Sequence, residues 1–293
     1  MKKLLLWSAF CLGATPALQA ALLNEAVLAF PVQTYSLEYD ALNNLRALPN
    51  YRNLRQQYSG EGLQKAQKDL LELGISEDQL SEVVTAAGAN GFFGMLAGTF
   101  QTPNSTEAAK HGLSKTVLED GGVFCAQDGY CFLFLKAEQG RAFFGPAAQI
   151  KAISDVRQGR AQSLRSNATV MNLVNRMEPN APVFGIAPGR EIGQWIGDAV
   201  PSAIASRFNF TSLFSSVESF GYSVKIDSKA HVGLNLLCTS DEAGTMIGDT
   251  LGAASGLQRA AALAAGSGAM PFEKMVVRSS GRLVAVNLDA PIQ

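Results

Sequence analysis

The chain has 293 residues, and its 24 Lys and Arg against 25 Asp and Glu give a formal net charge of −1. This balance argues against a nucleic-acid partner, because such binding depends on clustered basic side chains. Charged residues make up 17% of the chain, below the roughly 25% that is typical of globular proteins. A surface with few charges is compatible with a large partner interface, and small residues packed in the interior account for the same composition.

Residues 1–20 have the order of regions found in a cleavable signal peptide. Lys2 and Lys3 provide a positive start, residues 4–12 form an almost unbroken apolar run, and small residues follow it. A run of that length is too short for the roughly 20 residues that span a bilayer, so we predict no transmembrane anchor in the mature chain. Removal of both lysines changes the net charge from −1 to −3, by −1 − 2. We therefore predict a periplasmic or secreted protein, in which disulfides are permitted.

Two alternatives stay open for this segment. It could form a buried N-terminal helix of the folded protein, or Cys11 could be a lipid attachment site. Bulky Phe10 precedes that cysteine where bacterial lipoprotein signals have a small residue, which argues against the lipid.

Between residues 22 and 160 the sequence predicts short strands interspersed with helices. Residues 35–39 alternate apolar and polar side chains, as half-buried strands do. Ser76 and Gln79 form a capping box, which predicts a short helix through Val84. The other helices of this half are predicted at 41–48, 54–58, 62–73, from 104 onward and at 146–157, and its other strands at 92–100, 123–124, 132–135 and 141–144.

A polar connector at 158–167 precedes a second series of elements. Helices are predicted at 169–176 and 241–265, a strand at 182–187, and hairpins at 222–238 and 274–288. Hairpins, in place of regular βαβ alternation, indicate an α+β architecture with antiparallel sheets. We predict two tandem units, 22–160 and 165–293, each a small, mainly antiparallel sheet with helices packed on one face.

Three cysteines follow the signal, and two of them flank a predicted hairpin. Cys125 and Cys131 enclose Asp128-Gly129, a turn signal because glycine takes a positive φ at little cost. A three-residue loop would place the two cysteines directly opposite each other, within disulfide range. We predict that bond, with a zinc pair or a free redox pair as the alternatives. Cys238 lies in an apolar stretch and is predicted to be buried and inert.

Residues 140–186 resemble a passage of uncharacterised exported bacterial proteins with tandem α+β units. In those proteins a G-x-x-x-x-V/I helix precedes an S-L-x-x-N segment. The matching residues here are Gly145, Ile150, Ser163, Leu164 and Asn167. The order of a hairpin, a helix with C-T-S-D-E-A-G at its start and a final hairpin is similar too. The resemblance implies export and an α+β fold, and it brings no agreed activity and no catalytic residue.

Little in the sequence indicates catalysis. The two histidines, His111 and His231, have no acid pair beside them at ligand spacing, and the chain contains neither a G-x-S-x-G elbow nor a G-x-x-x-x-G-K-[ST] phosphate loop. A triad assembled from distant residues stays open, because its members meet only in space. We predict no catalytic residue, no cofactor and no metal site.

One pattern stands out near the end of the chain: Gly244, Gly248, Gly252 and Gly256 recur every four residues in the last predicted helix. Each glycine inside a helix costs roughly 1 kcal/mol relative to alanine, so close backbone approach is expected to offset the cost. Four residues advance a helix by about 400°, so the stripe drifts by ~40° per step and covers ~120°. Three roles are open: packing within the unit, a self-association seam, or membrane insertion, which the charged residues of the segment argue against.

These observations favour an exported protein without catalytic activity, whose role is binding or assembly with an unidentified protein partner or with itself. The alternative is a periplasmic hydrolase-type enzyme with a site assembled from distant residues. Converging Asp, Glu or His side chains with perturbed pKa values would favour the enzyme. An exposed contact surface on the glycine-bearing helix would favour assembly.

Overall fold

The structure, a computed structural model, describes residues 21–48, 51, 61–178, 181–192, 210–264 and 274–291. The predicted signal at 1–20 and the predicted helix at 54–58 lie outside these residues. The chain divides into two units, Met1–Ala168 and Thr169–Gln293. Both contain helices and antiparallel strands, so the predicted α+β class is confirmed.

The described part of the first unit contributes seven strands to an antiparallel sheet. Its strands are β1 Ser36–Asp40, β2 Leu80–Gly88, β3 Gly91–Gly98, β4 Ser114–Leu118, β5 Gly121–Cys125, β6 Tyr130–Leu135 and β7 Arg141–Pro146. They lie in the order β1-β2-β3-β7-β6-β5-β4. The described helices of this unit are α1 Ala21–Ala29, α2 Leu42–Arg46, α3 Glu61–Glu72, α4 Ser105–Lys110 and α5 Ala147–Arg157.

Helices cover both faces of this sheet, whereas the sequence predicted one covered face. Leu70 of α3 and Ala108 of α4 belong to the same buried cluster as Phe144. The adjacent Phe143 points to the opposite face, because side chains alternate along a strand. There its ring packs edge-on against Phe30, which follows α1, at 6.4 Å between centroids. Every residue of β6 is buried, and apolar strands of that kind need cover on both sides.

Strand β2 replaces the helix that was predicted through Val84. The capping box of Ser76 and Gln79 is present, but it starts only a three-residue 3₁₀ turn before β2 begins. The β-branched Val83 and Val84 pair with β1 on one side and with β3 on the other. Pairing on both sides overrides the local helix signal. Strand β4 and helix α1 were also not predicted.

The described part of the second unit contributes five strands to an antiparallel sheet. Its strands are β8 Val183–Pro188, β9 Val217–Ile226, β10 Lys229–Cys238, β11 Lys274–Ser280 and β12 Leu283–Pro291, in the order β11-β12-β10-β9-β8. The described helices that follow are α6 Ala168–Val174, α7 Phe210–Leu213 and α8 Asp241–Ala264. The two units differ in the number and order of their strands, and the tandem duplication stays a prediction.

Candidate functional site

Helix α8 packs along the final hairpin of the second unit. Ala243 and Ile247, one turn apart, are buried in one cluster with Val284 of β12. Met275 and Val277 of β11 pack against the same cluster. The first turns of α8 are therefore anchored to the sheet by apolar side chains.

Polar contacts hold the start of this helix. The hydroxyl of Ser240 accepts a hydrogen bond from the Ala243 N–H at 3.2 Å, which satisfies one of the free donors of the first turn. Arg282, at the tip of the final hairpin, donates to the carbonyl oxygen of Cys238 at 2.6 Å and forms an ion pair with Glu218. These contacts fix the hairpin tip beneath the first turn of α8.

Gly244 and Gly248 are points of close approach between α8 and the hairpin. A side-chain carbon at residue 244 would overlap the carbonyl oxygen of Gly281, in the turn between β11 and β12. One at residue 248 would lie 2.9 Å from Cβ of Ser279, closer than real side chains approach. Both helical glycines are buried. Packing within the unit offsets their cost in helix propensity.

Gly252 and Gly256 have a different environment. Both are exposed, and a side-chain carbon built at either would meet no atom of the described residues within 4 Å. The cause is the ~40° drift per four residues, which carries the stripe off the face that contacts the hairpin. Asp249 and Ala253 are exposed on the same side of the helix. We call these four residues the open glycine face, and its role as an interface stays a prediction.

The cysteine hairpin has the predicted register. Cys125 and Cys131 lie directly opposite each other in the β5–β6 pair, with their sulfur atoms at disulfide distance, 2.12 Å, and their Cα atoms 4.1 Å apart. Gly129 takes a φ of +81° in the turn, which explains the glycine at that position. Cys238 is a buried free thiol, and burial raises its pKa, which disfavours the reactive thiolate.

Lys65 of α3 connects the loop of this hairpin to the rest of its unit. Its Nζ lies 2.7 Å from the carboxylate of Asp128 and 3.1 Å from that of Asp69. The same ammonium lies 4.9 Å from the ring centroid of Tyr130, a cation–π contact. The hydrogen bond from Lys65 lowers the pKa of Asp128. The carboxylates of Asp69 and Asp128 are thus both paired with Lys65. These contacts hold the loop of the disulfide hairpin against helix α3.

His231 is the histidine with structured partners. Its Nδ1 lies 2.8 Å from Asp289 of β12, and its Nε2 lies 3.3 Å from Asp227 in the β9–β10 turn. Since both ring nitrogens face carboxylates, neither is placed to take a proton from a nucleophile. The hydrogen bond to Asp289 and then that to Asp227 raise the pKa of His231 above its ordinary 6.5. The other histidine, His111, is exposed just after α4.

We expect His231 to make the stability of the fold depend on pH. Its raised pKa means that the folded state holds the proton more tightly than the unfolded chain does. The stability that protonated His231 contributes to the fold is therefore fully present below about pH 6.5. It is lost as the pH rises through the higher pKa of His231 in the folded state. Urea unfolding of the wild type and of His231→Asn should show midpoints that differ at pH 5.5 and converge at pH 9. A difference that grows toward pH 9 would contradict the assignment.

The described residues contain neither a metal-binding cluster nor a helix that could span a membrane. No three His, Cys, Asp or Glu side chains in these parts of the chain come together in a way that could hold a metal ion. No described helix has both the length and the apolar character needed to cross a membrane.

Comparisons with known proteins identify no family to which the chain can be assigned. No family model matches the chain, and no curated protein matches it. A solved structure that is similar is TP0453 in its crystal form I, at 10% sequence identity and a TM-score of 0.49, with 92% of each chain covered. We draw no argument from a likeness at this level.

Proposed function

We propose that the protein is exported and acts without catalysis, through binding or assembly, and that the open glycine face of α8 is its contact surface. The observation that carries this proposal is the contrast along one stripe. At Gly244 and Gly248 the final hairpin packs closely against the helix. At Gly252 and Gly256 an added side-chain carbon would meet no atom of the described residues within 4 Å. A helix of a second molecule is the partner that this face suits best.

The two outer glycines carry an energetic cost that binding of a second helix would offset. Each costs roughly 1 kcal/mol of helix stability relative to alanine, and nothing in the described part of the unit offsets that cost. Glycine allows two backbones to approach closely, so a second helix laid on the face would offset it on binding. Asp249 within the face disfavours burial in lipid and suits an interface with a polar rim.

The first experiment measures the mass of the protein in solution. A chain beginning at Ala21 should show by light scattering a mass approaching that of two chains at high micromolar concentration. Substitution of both outer glycines, Gly252→Leu with Gly256→Leu, should return the mass to that of one chain. The double variant should unfold at an equal or higher urea concentration, because leucine is the better helix former by about 0.8 kcal/mol at each position.

Lys151→Leu is the matched control, since it adds one leucine to an exposed position of another helix, α5. It should leave the association unchanged. A wild-type mass of one chain at these concentrations would rule out self-association. Binding to a different protein would then be tested by capturing partners from envelope extracts with the wild type and with the double variant. If the double variant captures every protein that the wild type captures, the open glycine face is not the binding surface.

The export part of the proposal has its own test. Expression of the full chain in a bacterium, followed by fractionation, should place a shortened protein in the periplasm or medium. An intact chain retained in the cytoplasm would contradict export.

A further inference from the structure

Strand β4 is an edge strand among the described residues of the first unit. It pairs with β5 on one side, in a register that ends with Leu118 opposite Gly121, and the strand order ends at β4. Four of its five residues are exposed, and the side chain of Val117 is 75% exposed. An exposed edge strand presents backbone N–H and C=O groups to which a further strand can bind.

The turn after β4 shows which backbone groups point away from β5. Two residues separate Leu118 from Gly121, so Leu118 and Gly121 exchange both hydrogen bonds of their pair. Pairs of this kind alternate along an antiparallel ladder, and the register of β4 with β5 is continuous. Lys115 and Val117 therefore belong to the intervening pairs, and their N–H and C=O groups point outward from the edge.

The charged residue of β4, Lys115, does not shield this edge. Folded proteins protect edge strands with charged side chains, prolines or bulges. The Lys115 ammonium donates to Oγ of Ser105 in α4 at 2.8 Å and lies 5.4 Å from the ring centroid of Phe124. Phe124 is the residue of β5 directly opposite Lys115, so the ammonium lies over β5 and away from the outer edge. The outward backbone groups are therefore accessible to a second strand.

We propose that β4 pairs with β4 of a second copy of this chain, antiparallel and with Thr116 opposite Thr116 across a two-fold axis. In this register Lys115 of each copy lies opposite Val117 of the other. Both residues point their backbone groups outward, so each of these pairs exchanges two hydrogen bonds and uses all the outward groups of Lys115 and Val117. The surface lies in the first unit, so the inference goes beyond the open glycine face and does not rest on it.

The exposed side chains favour this register. Val117 lies beside Lys115 of the second copy, whose methylene groups can cover it. Glu119 of the second copy becomes a diagonal neighbour of Lys115, within reach of long side chains. Glu119 is 79% exposed and lies 3.8 Å from the exposed Arg160, a surface contact that is weak and easily exchanged. A register centred on Lys115 would place two lysines directly opposite each other, which is destabilising.

The size of the contact determines how it must be measured. A strand of five residues buries much less than the roughly 1,200–2,000 Å² of a stable interface. We therefore expect a reversible dimer that is sparsely populated at micromolar concentration and leaves the mean mass in solution unchanged. A covalent trap is the measurement that suits such a contact.

A disulfide trap tests the register directly. With Thr116→Cys in the chain that begins at Ala21, the paired Cα atoms would lie about 4.5 Å apart, within the roughly 4.4–6.8 Å that a disulfide spans. The oxidant is oxidised glutathione, which is reduced to two glutathione thiols as the two protein thiols form their disulfide. The native cysteines do not compete, because Cys125 and Cys131 are bonded to each other and Cys238 is buried.

Glu119→Cys is the matched control for accidental collisions. Its position is highly exposed, but in the proposed register the two copies of residue 119 lie about 20 Å apart, six residues along the strand direction. Thr116→Cys should form its covalent dimer roughly tenfold faster than Glu119→Cys at the same concentration, because pairing raises the local concentration of its thiols. Equal rates for the two variants would overturn the proposal.

Val117→Pro, added to Thr116→Cys, tests the backbone pairing. Proline removes an outward N–H and leaves the hydrogen bonds between β4 and β5 in place. It should lower the rate to that of Glu119→Cys without a shift of the urea midpoint, whereas Val117→Ala in the same background should keep most of the cross-linking. Undiminished cross-linking of the proline variant would overturn the proposal. So would a purified Thr116→Cys chain that forms no dimer but cross-links to another protein in envelope extracts.

The two surfaces are tested separately. Cross-linking of Thr116→Cys should persist when Gly252→Leu and Gly256→Leu are added, because these residues lie outside the first unit. A wild-type mass of one chain with rapid cross-linking would reject the open glycine face and retain the β4 pairing. Loss of cross-linking in the leucine background would overturn the β4 pairing as an independent contact.

Discussion

Gly244→Ala should lower the free energy of unfolding by about 1–2 kcal/mol, whereas Gly252→Ala should raise it by about 1 kcal/mol. Both changes gain the same helix propensity, so the difference reports packing alone. At residue 244 the added methyl group would overlap the carbonyl oxygen of Gly281, and backbone must move to admit it. At residue 252 the methyl group meets no atom of the described residues.

Urea unfolding of the two variants at low protein concentration, where association does not contribute, measures this difference. Gly256→Ala is a matched control, since its environment is the same as that of Gly252, and it should also stabilise the fold. Stabilisation by both Gly244→Ala and Gly252→Ala would mean that α8 does not rest on the hairpin tip. Destabilisation by both would mean that atoms of the chain cover the open glycine face.

Removal of the disulfide is expected to have an effect of similar size. Cys125→Ala with Cys131→Ala should lower the free energy of unfolding by about 2 kcal/mol, because the bond closes a short loop in the unfolded chain. The separation of six residues places the effect at the low end for disulfides. Urea unfolding in the absence and presence of a reductant measures this loss of stability. The dependence of the unfolding free energy on urea concentration should be the same in both conditions.

The reductant separates the bond from the packing of the sulfur atoms. Wild type should lose most of this stability under reduction, whereas the double variant should be insensitive to the reductant. Cys238 provides an internal check, since its buried thiol should react with a thiol reagent only after unfolding. A wild-type midpoint that is unaffected by reduction would refute a stabilising disulfide.

Local signals in the sequence predicted the elements that form from residues close together in the chain. The Asp128-Gly129 turn sets the register that brings Cys125 opposite Cys131, because a tight hairpin leaves one pairing that suits its loop. The final hairpin and α8 were predicted for similar reasons, within a few residues of their observed ends. These elements need little information from the rest of the chain.

Elements whose state depends on distant partners were predicted poorly. The capping box at Ser76 is real, yet strand β2 follows it because Val83 pairs with Asp40 of β1, 43 residues earlier (83 − 40), and with Leu96 of β3, 13 residues later (96 − 83). The prediction that helices cover only one face of the sheet in the first unit was wrong, since α1 and α3 pack on opposite faces.

By itself the sequence determined the α+β class, the cysteine register and a glycine stripe with a known drift around its helix. Periodicity and turn chemistry are local, so they can be read without knowing what packs against them. Only the tertiary structure decided that Gly244 and Gly248 face the hairpin while Gly252 and Gly256 do not. That division depends on which turns of α8 rest on the final hairpin, a contact between separate segments of the chain that local periodicity does not describe.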